Sequence, residues 1–101
     1  MQPKPLRLLG LAKRAGQLVC GMEAVRDAAG RACLFLLAND AGNAAKRETG
    51  HLAEGRGKPL VILPYDKEAL GRAAGRKTCS VAALINEEFS RGIREAINGG
   101  T

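Results

Sequence analysis

Continuous hydrophobic runs alternate along the chain with stretches in which hydrophobic positions recur every three or four residues. Four runs have the length of strands and cover residues 18–20, 33–38, 60–63 and 79–85. The runs at 33–38 and 60–63 contain no polar side chain, which is typical of strands covered on both faces. The alternation predicts an α/β protein with parallel strand pairs and helices on both sides of the sheet, a three-layer α/β/α sandwich.

Helical periodicity and end signals predict five helices, at about residues 5–15, 21–30, 44–54, 66–75 and 86–97. Asp66 and Asn86 are predicted N-caps, because their side chains accept hydrogen bonds from the free N–H groups of a first helical turn. The third helix is polar, and we expect it to be broken at Gly50, since glycine costs about 1 kcal/mol in a helix interior. The tail, residues 98–101, is expected to fray.

The chain has 101 residues, which leaves room for a single domain over residues 1–101. Sixteen Lys and Arg against ten Asp and Glu give a net charge of +6, which favours a polyanionic partner such as nucleic acid. The excess lies in residues 1–38 and 71–101. A fold that brings these two segments together would create one electropositive face; the alternative is scattered, solvated charge.

Hydropathy and the spacing of the cysteines predict the cellular compartment of the protein. The longest hydrophobic run, residues 32–38, is too short to span a bilayer, and the N-terminus lacks the pattern of a signal peptide. Cys20, Cys33 and Cys79 are irregularly spaced, which indicates a reducing environment. We therefore expect a cytoplasmic protein that does not bind membranes.

Motifs for catalysis and cofactors are missing from the sequence. His51 is the only histidine, so a metal site lacks ligands, and the three cysteines in hydrophobic context are predicted to be buried core residues. Neither G-x-G-x-x-G after a strand nor G-x-x-x-x-G-K-[ST] occurs. Gly71 is predicted to allow close packing of the fourth helix. A small-molecule enzyme is thus disfavoured, and no catalytic residue, metal or cofactor is expected.

Binding to structured RNA accounts for more of the residues. Three aromatic residues, two of them in core patterns, do not make a stacking platform for single strands. Gly21 lets a nucleic-acid backbone approach the start of the second helix, where free N–H groups face anions. Lys13, Arg14 and Arg26 are expected around that start, with the 75–78 loop on the other side. The alternative is that Gly21 only makes the turn from strand to helix.

Four ordered segments carry a resemblance that spans residues 6–97. They are LGLAKRAGQLVCG (9–21), LLANDA (36–41), LGRAAGR (70–76) and SVAAL (80–84) followed by Phe89. In these the chain resembles the bacterial YlxQ-like proteins, members of the ribosomal protein superfamily of the seven-Ae and thirty-e type, which binds kink-turn RNA.

The resemblance implies a mixed four-stranded sheet and the binding of a sharply bent RNA helix flanked by sheared G·A pairs. In that superfamily the second helix contacts the G·A pairs and the loop before the last strand contacts bulged nucleotides. The implied RNA-binding residues are Gly21, Met22, Glu23 and Arg26 in the first region, and Arg76, Lys77 and Thr78 in the second. The expected partners are structured RNA, with ribosomal RNA among the candidates, and ribosomal proteins. We expect the protein to be a monomer.

The sequence departs from the superfamily pattern at two positions. Strong kink-turn binders carry Asn or Lys where this chain has Glu23, and Lys where it has Asp27. An ionised carboxylate only accepts hydrogen bonds and repels phosphates. An alternative therefore stays open, in which the domain has lost specific kink-turn binding and is a protein-interaction module on the ribosome.

Overall fold

The computed structural model describes residues 2–99 and shows α-helices and strands in alternation. The elements are α1 (Lys4–Arg14), β1 (Leu18–Cys20), α2 (Met22–Ala28), a 3-10 turn (Ala29–Arg31), β2 (Leu34–Leu37), α3 (Asn43–Arg56), β3 (Leu60–Ile62), α4 (Lys67–Ala73), β4 (Val81–Leu84) and α5 (Glu87–Asn98). The predicted order of strands and helices is confirmed.

The four strands form one mixed sheet in the order β1-β4-β2-β3. β4 lies between β1 and β2 and is antiparallel to both, whereas β2 and β3 are parallel. Ala82 of β4 is opposite Cys20 on one side and Leu36 on the other. The predicted parallel pairing is confirmed for β2 and β3, and the mixed sheet implied by the resemblance is confirmed as a whole.

Alternate residues of the sheet belong to two separate hydrophobic clusters. Leu34 and Leu36 of β2 pack with α1, α4 and α5, while Phe35 and Leu37 pack with α2 and α3. The helices therefore cover both faces, with three on one side and two on the other. This is the predicted three-layer arrangement, and it brings the end of α1, the start of α2 and the loop after α4 to the β1–β4 side of the sheet.

Two helices begin at the predicted N-caps. The Asp66 carboxylate accepts a hydrogen bond from the Ala69 N–H at 2.8 Å, and the Asn86 side-chain oxygen accepts one from the Phe89 N–H at 2.9 Å. Each bond satisfies an N–H group that has no partner within its own helix.

Three expectations about local structure are wrong. α3 runs through Gly50 without a break, because Thr49 and Ala53 are buried on its inner face and that packing offsets the helix cost of glycine. β3 is an edge strand rather than a doubly covered one, and Ile62 is 54% exposed, with only Leu63 beyond it fully buried. Asn98, placed in the frayed tail, is the last residue of α5, and residues 100–101 lie outside the described range.

No helix within residues 2–99 combines the length and the hydrophobicity needed to cross a lipid bilayer.

Candidate functional site

Gly21 lies at the junction of β1 and α2 in a conformation that other residues rarely adopt. Its φ is 93° and its ψ is 148°, and it precedes Met22, the first residue of α2. Its N–H donates to the Val81 carbonyl at 2.9 Å, which extends the β1–β4 pairing by one residue. A side chain here costs about 1–3 kcal/mol of backbone strain. The interpretation that Gly21 makes the turn is therefore confirmed, and its role in binding stays a prediction.

Arg76 lies directly against Gly21. Its Nη1 donates a hydrogen bond to the Cys20 carbonyl at 2.8 Å. A Cβ placed on Gly21 would lie 3.3 Å from the same Nη1, closer than nearly all Cβ contacts in proteins. The missing side chain at position 21 thus gives the guanidinium room to lie across the end of β1.

Gly71 holds the loop that carries Arg76 close to α4. The Arg76 N–H donates to the Gly71 carbonyl at 2.7 Å, and Gly75 between them takes a positive φ of 75°. A Cβ on Gly71 would lie 2.6 Å from the Cα of Thr78 and 2.8 Å from the Lys77 carbonyl oxygen, so any side chain would displace the loop backbone. The close packing predicted for Gly71 is confirmed.

Gly21 and Arg76 border an open cavity of about 430 Å³ at the start of α2. It is lined by Cys20, Gly21, Met22, Glu23, Ala24, Asp27 and Arg76. Met22 also packs toward α3, where its sulfur accepts a hydrogen bond from the buried Thr49 hydroxyl at 3.8 Å. One wall of the cavity is therefore cationic, through Arg76, and the α2 wall carries two carboxylates, Glu23 and Asp27.

Lys13 brings the N-terminal basic segment to the same place. It lies in the last turn of α1, close enough to Cys20 that its charge, like that of Arg76, lowers the pKa of that thiol. Of the two alternatives left open by the charge distribution, the structure favours convergence, because Lys13 and Arg76 both lie near Cys20. Arg14, Lys77 and Thr78 are exposed neighbours of these two along the chain.

Arg26 is directed away from the cavity. Its Nε donates to the Glu48 carboxylate of α3, and this ion pair is the only one formed among residues 2–99. Glu48 raises the pKa of Arg26 above its usual value, through the hydrogen bond and its charge. Of the residues predicted for the first contact region, Arg26 is thus the one that the structure separates from Gly21, Met22 and Glu23.

Two residues that line the cavity were not among the RNA-binding residues predicted from the sequence. Asp27 lies one helical turn after Glu23, so the spacing of four already puts both carboxylates on one face of α2. Cys20 is buried, as predicted, but it also borders the cavity through its position at the end of β1. The one sequence feature that could have indicated a place for Cys20 at the cavity is its position immediately before Gly21.

Two other cavities lie away from this site. One of about 460 Å³ is lined along α3 by Ala44, Arg47, Glu48, His51 and Leu52. The other, of about 310 Å³, lies between α1 and α5 and is lined by Leu8, Asn86, Glu88, Phe89 and Gly92. Within residues 2–99, no three His, Cys, Asp or Glu side chains gather where they could hold a metal ion.

Comparison with known proteins gives consistent matches. The profile of the family described as "Ribosomal protein L7Ae/L30e/S12e/Gadd45 family" matches residues 5–93. A Bacillus halodurans protein of unknown function is 33% identical, with a TM-score of 0.89 over 96% of this chain and 99% of that one. The Giardia lamblia 15.5kD RNA binding protein is 22% identical, with a TM-score of 0.69 over 93% of this chain and 82% of its own. No curated protein matches the chain.

Proposed function

The chain belongs to the ribosomal protein L7Ae/L30e/S12e/Gadd45 family, and on that premise we propose that it is a non-catalytic protein that binds structured, kink-turn-like RNA. The proposal includes a place among the YlxQ-like proteins, action as a monomer in the cytoplasm, and association with the ribosome or another ribonucleoprotein. The RNA surface comprises Gly21, Met22 and Glu23 at the start of α2, Arg76, Lys77 and Thr78 in the loop before β4, and Lys13 and Arg14 at the end of α1.

The observation that carries the proposal is the placement of Arg76 against Gly21. The Arg76 guanidinium is bound to a neutral carbonyl, and the only ion pair among residues 2–99 lies elsewhere. Its positive charge therefore stays available to a phosphate, while Gly21 offers no side chain that would keep a backbone away. Lys13 adds a second cation beside the same cavity.

The carboxylates of the cavity suggest how RNA would be oriented. Glu23 and Asp27 are exposed and accept hydrogen bonds but do not donate them. They repel phosphates and can accept bonds from the amino groups of bases, which a distorted helix presents outside regular pairing. We propose that the phosphate backbone lies on the Arg76 side and base edges lie on the α2 side.

The similarity in fold to an RNA-binding protein supports the proposal that the chain binds RNA, but it does not identify the RNA. The Giardia lamblia protein bears that name and shares the fold at a TM-score of 0.69. RNA binding by this chain is our inference from its family and from the geometry of the site together.

The test is an electrophoretic mobility shift with a kink-turn RNA and a variant in which its G·A pairs are disrupted. We expect tighter binding of the intact kink-turn, because shape recognition adds to the charge-driven term. Equal, weak binding of both RNAs would contradict kink-turn recognition and leave only attraction between charges.

A charge-matched pair of variants locates the surface. Arg76→Ala with Lys77→Ala should weaken binding and flatten the dependence of log affinity on log salt by about 0.7–0.9 per lost phosphate contact. Arg91→Ala with Arg94→Ala removes the same charge from the exposed side of α5, outside the cavity, and should leave that slope nearly unchanged. An unchanged slope in the first variant would place the RNA elsewhere.

Glu23 and Asp27 also favour a second candidate, a protein-interaction module on the ribosome that has lost specific kink-turn binding. Replacing them with the residues of strong binders, Glu23→Asn with Asp27→Lys, distinguishes the two. If the wild type recognises the kink-turn, the variant should bind both RNAs more tightly. Recognition that appears only in the variant would support the interaction module.

A further inference from the structure

Two thiols meet beneath the cavity. Cys20 is 6% exposed and Cys79 is 4% exposed, and both belong to the same hydrophobic cluster. Their side chains are close enough that each shifts the pKa of the other, and the Cys79 thiol donates a hydrogen bond to the Val81 carbonyl at 3.2 Å. That carbonyl also accepts the Gly21 N–H, so the β1–β4 pairing places Cys79 Sγ beside the residue that directly follows Cys20.

The two thiols differ in charge state. The adjacent Cys79 side chain, and then the charges of Lys13 and Arg76, lower the pKa of Cys20 to about 7. The hydrogen bond to Cys20 and burial raise the pKa of Cys79, which therefore keeps its proton. Cys20 is therefore the more acidic of the two thiols, with a protonated thiol beside it.

The third cysteine provides an internal contrast. Cys33 is more exposed than the other two, yet burial and its hydrogen bond with Glu87 raise its pKa. Because the thiolate is the reactive form, we expect Cys33 to react more slowly than Cys20 although it is more exposed.

We propose that Cys20 and Cys79 are an oxidisable pair that hydrogen peroxide converts into an intramolecular disulfide at the edge of the Gly21–Arg76 cavity. Cys20 thiolate attacks one peroxide oxygen; an S–O bond forms, the O–O bond breaks and hydroxide leaves, so that sulfur is oxidised to sulfenic acid. Cys79 then loses its proton to that hydroxide, giving water, and its sulfur attacks Cys20, forming the S–S bond and releasing a second hydroxide.

The geometry assigns the order of these steps. Cys20 lines the cavity and Cys79 does not, so a molecule as small as hydrogen peroxide reaches Cys20 first. Oxidation converts the Cys20 thiolate, whose hydrogen bond is the largest and whose charge is a smaller reason that Cys79 holds its proton. Cys79 can then ionise, with the nearby Arg76 charge favouring its thiolate.

Peptide mapping tests the pair directly. The native protein is treated with hydrogen peroxide, free thiols are alkylated, and the tryptic peptides are identified by mass spectrometry. The three cysteines fall in separate peptides, 15–26, 32–46 and 78–91, so the linkage is unambiguous. We expect 15–26 joined to 78–91, with the combined mass reduced by two hydrogens. A linkage to 32–46, or no linkage in the folded protein, would overturn the proposal.

Single variants assign the roles. Cys20→Ser should abolish the disulfide and Cys33→Ser should leave it unchanged. Cys79→Ser should leave a sulfenic acid on Cys20 that a 1,3-diketone probe captures. Labelling of Cys33 instead would contradict the assigned order. Circular dichroism confirms folding of each variant, and the wild-type map decides the proposal even if one of them does not fold.

The effect on RNA rests on the proposed function. Oxidation removes a negative charge beside Arg76 and Lys13, so the oxidised form should bind the kink-turn RNA about two- to fivefold more tightly. Equal affinities would refute this link while the mapped disulfide stands. A mapped disulfide with no RNA binding in either form would refute the proposed function alone.

Discussion

Arg76 and Arg26 lie on two sides of the start of α2 and carry the same charge, but their surroundings differ. Arg76 donates to the Cys20 carbonyl and borders the cavity at Gly21. Arg26 pairs with Glu48 on α3, one of the residues lining the α3 cavity. The neutral carbonyl does not compensate the Arg76 charge, which only the Cys20 thiol near it can reduce, whereas the Glu48 carboxylate forms an ion pair with Arg26. The number of basic residues therefore says less about a nucleic-acid surface than the partner that each one already has.

The largest expected effect is a difference in RNA affinity between variants of the two arginines. Arg76→Ala should reduce RNA affinity about 10- to 100-fold, as expected for the loss of a hydrogen bond to a charged group. Arg26→Ala should reduce it about twofold or less, because its charge is already compensated. Titration of each variant with kink-turn RNA measures both, and equal losses would remove the distinction between the two sides.

Gly71→Ala tests whether the loop backbone places Arg76. The added Cβ would lie 2.6 Å from the Thr78 Cα, so the loop has to move and the free energy of unfolding should fall by about 1–3 kcal/mol. RNA affinity should fall as well, although position 71 does not line the cavity.

Gly50→Ala is the matched control in α3. Nothing lies within 4 Å of a Cβ there, and the substitution should stabilise the protein by about 0.5–1 kcal/mol without changing RNA affinity. Thermal or urea unfolding distinguishes the two glycines. A tolerated Gly71→Ala would mean that the loop accommodates a side chain and that its position is not fixed by α4.

Glu48→Gln removes the carboxylate that pairs with Arg26. The charge of Arg26 would then be free to attract RNA, as we propose for Arg76. We expect RNA affinity to rise about two- to threefold and the salt dependence to steepen, since one more free cation faces the solvent. The free energy of unfolding should change by about 1 kcal/mol or less, because both partners are substantially exposed. A loss of affinity would show that Glu48 itself takes part in binding.

A smaller effect concerns pH. The pKa of Cys20 is about 7 in the folded protein against an ordinary 9.0, so the unfolded chain binds more protons between these values. Under reducing conditions, stability should therefore rise from pH 7 to pH 9 through Cys20, and this contribution should be lost as pH falls through 7. Cys79, whose pKa is raised, opposes it only at higher pH, where the unfolded thiol ionises.

Urea unfolding of the wild type and of Cys20→Ser measures that contribution. The variant should lack the rise between pH 7 and pH 9. A rise of equal size in both proteins would assign it to another group.

The sequence predicts the architecture well and the side-chain partners poorly. Hydrophobic runs and the N-caps Asp66 and Asn86 are local signals, and the elements that they mark appear where predicted. The exposure of β3 could not be read from residues 60–63, because an edge strand and an interior strand can share one hydrophobic pattern.

Contacts between side chains that are far apart in the sequence could not be predicted either. Arg26 and Glu48 are 22 residues apart, and Arg76 and the Cys20 carbonyl are 56 residues apart. Nothing in the spacing of charges indicates which of the two arginines meets a carboxylate. The same holds for Cys20 and Cys79, which the fold brings together from β1 and from the loop before β4.

The hydrogen bond from Arg76 to the Cys20 carbonyl bears on how fast and how tightly a ligand can be captured. A freely rotating arginine loses rotamer entropy when a phosphate immobilises it, at a cost of about 0.5–1.5 kcal/mol. Here the guanidinium is already held at the end of β1, an edge strand that is paired with β4. Much of that ordering is completed during folding, so association should proceed close to rigid-body docking.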